Sequence, residues 1–225
     1  MASSEAREIT LPLPDGNAVS GLVLVPAAAQ AGYVLAHGAG AGMSHPFMTE
    51  SAEELASRGI ATLRYQFPYM QQGSRRPDSP GVAHATVRAA VNEAARQLPG
   101  LPLFAGGKSF GGRMTSQAQA EAPLPGIRGL VFLGFPLHPA KRPSLDRAKH
   151  LAKVGVPMLF LQGARDALAE HHLITQVVAE LGGLATLMTF PDADHSFHVA
   201  ARTGRTNAQV LATVCDAVAA WMVTH

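Results

Sequence analysis

Short apolar runs alternate along this chain with longer stretches whose apolar residues recur every three or four positions. That alternation predicts a βαβα order, and so a mostly parallel sheet with helices on both faces. Strands are expected at residues 18–25, 33–36, 61–65, 103–106, 130–133, 158–161 and 185–190, with residues 9–13 adding an antiparallel edge. Unbroken runs such as Met158-Leu159-Phe160-Leu161 fit strands covered on both faces.

Helices are expected between the strands. Residues 46–58 stop at Gly59, a residue that ends helices readily. Residues 82–98 put Val87, Val91, Ala94 and Leu98 on one face and stop at Pro99-Gly100. Further helices are expected at 110–122, 171–181 and 206–223, the last with Val210, Val214, Val218 and Trp221 inward. Residues 68–81 read as a surface loop, where binding residues often sit. Between the strands at 130 and 158 there is room for one short helix, near 145–153, and for no cap domain. No internal repeat or flexible linker divides the chain, so residues 1–225 are expected to form a single domain.

Composition narrows the class. With 47% hydrophobic and 15% charged residues, the 225-residue chain can bury a full core. Its net charge is only +2 and its basic pairs are scattered, which argues against a nucleic-acid partner. The single cysteine, Cys215, allows no internal disulfide and falls on an apolar helix stripe, as a core thiol does. The start of the chain, residues 1–15, lacks a charged segment followed by an apolar one, so no secretory signal is expected. No apolar run can span a membrane. A soluble, cytoplasmic protein is the expectation.

The strongest chemical signal is Gly107-Lys108-Ser109-Phe110-Gly111, a G-x-S-x-G motif between an expected strand and an expected helix. A sharp turn there would expose the Ser109 hydroxyl at the carboxyl edge of the sheet, and the glycines would avoid clashes with neighbouring elements. A serine hydroxyl needs a base. His195 lies in the loop after the last strand, and Asp166 in the loop after the strand at 158–161. The order Ser, Asp, His is that of the α/β-hydrolase arrangement. His198 is the alternative base. Asp192 and Asp194 are too close in sequence to His195 to be obvious orienters, and suit loop capping. His37-Gly38-Ala39-Gly40-Ala41-Gly42 follows an early strand. It lacks the spacing of a phosphate-binding loop. Backbone N–H groups of Ala39 and Phe110 are the expected oxyanion donors, with His37 shaping the loop.

At these residues the chain resembles the compact α/β hydrolases related to dienelactone hydrolase, most of all a KANL/Tex-type subgroup. Ser44-His45-Pro46-Phe47-Met48, Leu63-Arg64-Tyr65-Gln66-Phe67-Pro68-Tyr69, Gly106 to Arg113 and Gly134-Phe135-Pro136-Leu137-His138-Pro139 carry the resemblance with Asp194-His195-Ser196-Phe197. It implies a lidless α/β-hydrolase fold, the triad Ser109, Asp166 and His195, and oxyanion donors at Ala39 and Phe110. Dienelactone hydrolase uses a cysteine where this chain has Ser109. The expected activity is cleavage of a small carboxylic ester or thioester, a carboxylesterase-like reaction without cofactor or metal. The alternative is a non-catalytic binding or scaffold protein on the same fold. A shallow cleft is expected, rimmed by Met43-Ser44-His45, Tyr69-Met70 and Pro136-Leu137-His138, with core packing the alternative for Met43, Tyr69 and Leu137.

Overall fold

The computed structural model describes residues 5–225; Met1 to Ser4, part of the stretch read above for a signal, lie outside the described residues. Eight strands form one sheet: β1 (Arg7–Pro12), β2 (Ala18–Leu24), β3 (Ala31–Ala36), β4 (Ile60–Tyr65), β5 (Leu103–Lys108), β6 (Ile127–Leu133), β7 (Met158–Gly163) and β8 (Ala185–Phe190). Their spatial order is β1-β2-β4-β3-β5-β6-β7-β8. β2 runs antiparallel to both neighbours, and β3 to β8 are mutually parallel.

The helices are α1 (Pro46–Ala56), α2 (Pro68–Gln71), α3 (Pro80–Gln97), α4 (Phe110–Glu121), α5 (His171–Leu181) and α6 (Asn207–Thr224). Two-residue periodicity sorts the central strands onto two cores. Tyr33, Leu35, Phe104, Val131, Leu133, Leu159 and Leu161 meet α1 and α6 through Met48, Leu55, Val214 and Val218. The alternate residues Val34, Ala105, Leu130, Phe132 and Phe160 face α3, α4 and α5 through Val87, Met114 and Ile174. Cys215 is buried in the first core, and burial pushes its thiol up to about 12.

Helix ends follow local chemistry. α1 starts on Pro46, with the His45 ring accepting from the Phe47 N–H. α6 opens on a capping box in which Thr206 and Gln209 satisfy each other's backbone N–H. Between β6 and β7 the chain forms only a 3₁₀ segment of 8 residues, Asp146–Lys153, and no cap domain. The loop expected at 68–81 is partly helical. Pro68 starts α2 and Pro80 starts α3, because a proline at the first position removes a donor the helix would leave unpaired anyway. Among the described residues no helix is long and apolar enough to cross a membrane.

Candidate active site

The chain leaves β3 toward β4 on one side and reaches β5 on the other, so the carboxyl ends of β3 and β5 flank a crevice. Such a switch point is where open α/β sheets bind ligands. The 37–42 loop leaves β3 here and Ser109 follows β5. Asp166 follows β7, and His195 follows β8.

The turn at Ser109 is strained. Its φ of 49° and ψ of −113° place a non-glycine residue outside the ordinary regions. Packing enforces this conformation. A Cβ on Gly107 would stand 2.2 Å from the Ala36 carbonyl oxygen, and one on Gly111 2.5 Å from that of His37. Only glycine lets β5 and α4 approach β3 so closely.

Three side chains meet although 86 and 29 residues of chain separate the contacting pairs. Ser109 Oγ lies 2.8 Å from His195 Nε2, and His195 Nδ1 lies 2.6 Å from Asp166 Oδ2. An ionised carboxylate only accepts, so Nδ1 carries the proton and Nε2 is left to accept from the serine hydroxyl. Asp166 is 3% exposed. Its Oδ1 accepts from the Leu168 N–H at 2.7 Å, and its Oδ2 also accepts from the Gln162 amide. The Gln162 Oε1 in turn accepts from the Phe135 N–H at 2.9 Å, so the carboxylate is held from two sides.

Burial pushes the His195 imidazole below its usual pKa; the bond to Asp166 opposes this, and the nearby Lys108 charge adds to it. Lys108 lies in the motif itself and is 9% exposed. Its ammonium donates to the His195 carbonyl and stands 5.6 Å from the ring centroids of both Phe47 and Phe197. Burial pulls it down to about 8.

Ala39 and Phe110 flank Ser109. Among the described residues neither of their N–H groups donates to a protein acceptor, and both residues line the cleft. The Tyr69 hydroxyl accepts from the Gly40 N–H at 3.1 Å and steadies that loop. His37 is fully buried; Nδ1 donates to the Gly38 carbonyl at 2.8 Å, and Nε2 accepts from the Phe67 N–H at 3.1 Å. Burial holds this neutral ring down to about 4. Asp194 accepts from the N–H groups of Ser196 and His198, as a loop-capping residue does. His198 stays exposed, its Nδ1 3.9 Å from Asp194.

The cleft has two arms that meet at Ser109, Ala39 and Leu168. One, about 370 Å³, includes His45, Phe47, Met48 and His195; the other, about 360 Å³, includes Pro77, Pro136, Arg113 and Arg147. Part of the expected rim is therefore wrong. Tyr69 and Leu137 take the core alternative, and His138 is buried as well, against expectation. His138 turns inward because both ring nitrogens find partners there, the Pro139 carbonyl at 2.9 Å and the Glu170 carboxylate. His45 and Pro136 do line the cleft. Phe47, Leu168, Gln162 and the two arginines were not anticipated. Among the described residues, no group of three or more His, Cys, Asp or Glu side chains is placed to hold a metal ion.

A family model described as "Alpha/beta hydrolase domain" matches residues 29–223, and the chain belongs to that family. Among solved structures it is similar to a lidless α/β serine hydrolase from Xanthomonas campestris, at 22% identity over 98% of this chain and 97% of that one, with a TM-score of 0.74. A dienelactone hydrolase from Anabaena variabilis matches at 19% identity over 98% of each chain, TM-score 0.76. A serine hydrolase homologue from Coxiella burnetii matches at 15% identity over 97% and 96%, TM-score 0.75.

Proposed function

We propose that this protein, acting as one domain over residues 1–225, is a serine hydrolase that cleaves small carboxylic esters or thioesters through an acyl-enzyme. The observation that carries the reading is the continuous chain from Ser109 Oγ to His195 Nε2 and from His195 Nδ1 to Asp166. In this reading His195 takes the Ser109 proton as Oγ attacks the carbonyl carbon. The carbonyl oxygen gains negative charge and accepts from the Ala39 and Phe110 N–H groups, at the start of α4 where backbone donors favour an anion. Asp166 keeps the proton of His195 on Nδ1 and stabilises the imidazolium. The imidazolium then protonates the leaving alcohol or thiol as the bond to the carbonyl breaks. Water, activated by the same histidine, frees the acid and regenerates Ser109.

Rapid mixing with an aryl acetate tests the two-step route. The expected trace is a burst of one aryl alcohol per protein, then slower turnover. Hydrolysis without a burst at any substrate concentration, together with no acyl adduct on Ser109, would oppose an accumulating acyl-enzyme. Absence of turnover on all esters and thioesters would favour a binding role.

A further inference from the structure

The arm of the cleft away from His195 carries two cationic side chains, Arg113 and Arg147, that outnumber its one carboxylate, Asp78. Arg113 lies one turn along α4 from Ser109, its N–H bonded to the Ser109 carbonyl at 3.1 Å. Arg147 comes from the 3₁₀ segment Asp146–Lys153, which is tied to α4 by the His150 ring, 2.7 Å from the Ser116 hydroxyl. Both arginines are half-buried and line this arm with Ser109 and Ala39. Among the described residues neither guanidinium hydrogen-bonds to a protein acceptor or pairs with a carboxylate; the buried Arg113 Nε has no partner, and the Arg113 guanidinium faces only the Phe110 ring, 5.9 Å from its centroid. Burial, joined at Arg113 by the charge of Arg147, disfavours protonation of the pair. Partly desolvated donors of like charge are costly unless an acceptor arrives. The arm also holds Asp78, which accepts from the Tyr69 N–H at 3.1 Å. Two arginines against one aspartate leave room for a single negative charge.

Orientation follows from the reaction. His195 must hand its proton to the leaving oxygen, so the leaving group occupies the arm that His195 lines. The acyl group then extends into the arginine arm. We infer that Arg113 and Arg147 form a subsite for a carboxylate at the far end of the acyl chain, so that half-esters of dicarboxylic acids are the preferred substrate class. A guanidinium fork matches a carboxylate in two parallel hydrogen bonds, and the net charge of the arm suits a monoanion better than a phosphate dianion.

The inference rests on Ser109 as nucleophile, so its test has a kinetic and a binding part. The substrates are the mono-para-nitrophenyl ester of adipic acid and its neutral methyl-capped counterpart. Wild-type kcat/KM is expected to favour the monoanion by about tenfold or more, through KM, as charge-assisted hydrogen bonds allow. Arg113→Gln and Arg147→Gln should each bring the ratio toward one. Arg147→Lys should keep part of it, and Arg128→Gln, an exposed control on β6, should leave it unchanged. A wild-type ratio near one, or a ratio that survives both glutamine variants, overturns the subsite. Calorimetric titration of Ser109→Ala with the monoanionic ester reads binding without turnover. Arginine-dependent binding with no hydrolysis by the wild type would keep the subsite and remove the hydrolase. Hydrolysis of the neutral ester with no arginine-dependent binding would do the reverse, and absence of both would remove both.

Discussion

The ammonium of Lys108, the residue before Ser109, donates to the backbone carbonyl of His195. This contact ties the turn after β5 to the loop after β8, the two segments that must stay in register for Ser109 and His195 to meet. It also puts a buried positive charge beside the imidazole. Burial is the larger cause of the low His195 pKa, and Lys108 acts in the same direction.

Catalysis as proposed needs His195 neutral. A lowered pKa keeps it neutral to more acidic pH, so the acid limb of kcat/KM is expected below 6.5, the ordinary histidine value. Lys108→Met removes a charge that opposes the imidazolium, so the limb should move to higher pH. A wild-type limb at or above 6.5, or a limb that Lys108→Met leaves in place, would contradict this account of the electrostatics.

Ser109→Ala and His195→Ala should each lower kcat/KM by roughly 10⁴-fold or more, and the double variant should be scarcely worse than either, because the groups act as a unit. His198→Ala should be mild, since its ring is exposed and its Nδ1 stands 3.9 Å from Asp194. Full activity in His195→Ala with loss in His198→Ala would reverse the choice of base. Circular dichroism on each variant separates lost chemistry from lost fold.

His37 makes stability depend on pH. Its folded pKa is depressed to about 4, so on acidification the unfolded chain takes up this proton first. The contribution of the buried neutral ring is fully present above the unfolded value of 6.5 and is lost progressively toward 4. Its size is on the order of 3 kcal/mol. Urea midpoints should fall between about pH 7 and about pH 4.5, and the His37 ring should resist protonation in an NMR titration until near the lower limit. A ring that titrates near 6.5 in the folded protein would contradict the burial argument.

The sheet was legible because its signals are local. β8 and α5 match the expected bounds, and β2 differs by one residue. The G-x-S-x-G motif and the residues after β7 and β8 could be read as candidates because each follows a strand whose apolar run is plain. The rim of the cleft was not legible. Tyr69 and His138 looked like amphipathic rim residues, but the Gly40 N–H and the Glu170 carboxylate satisfy their polar atoms from inside. Gln162, at the end of β7, holds Asp166 across a turn no spacing rule describes. Lys108 occupies the free position of the motif, and its contact with His195 spans 87 residues. Pairings of this kind depend on how loops from separate strands converge, which hydrophobic periodicity does not encode.

Substrate size should follow from the missing cap. The 3₁₀ segment Asp146–Lys153 is the whole of the chain's insertion between the β6 loop and β7, too short to cover the cleft. Among neutral aryl esters, short acyl chains should be cleaved faster than long ones, and emulsified triglyceride should bring no jump in rate. A clear optimum at long chains, or activation at an oil surface, would contradict a lidless cleft with arms of about 370 and about 360 Å³.

In the proposed mechanism Ser109 is a nucleophile activated by His195. A fluorophosphonate probe tests it most directly, because it phosphonylates a serine only where a base and oxyanion donors already act on it. One adduct per chain is expected, mapped by mass spectrometry to the peptide holding Ser109, absent in Ser109→Ala and strongly slowed in His195→Ala. An unlabelled wild-type protein that is folded, or an adduct on any other residue, would contradict it.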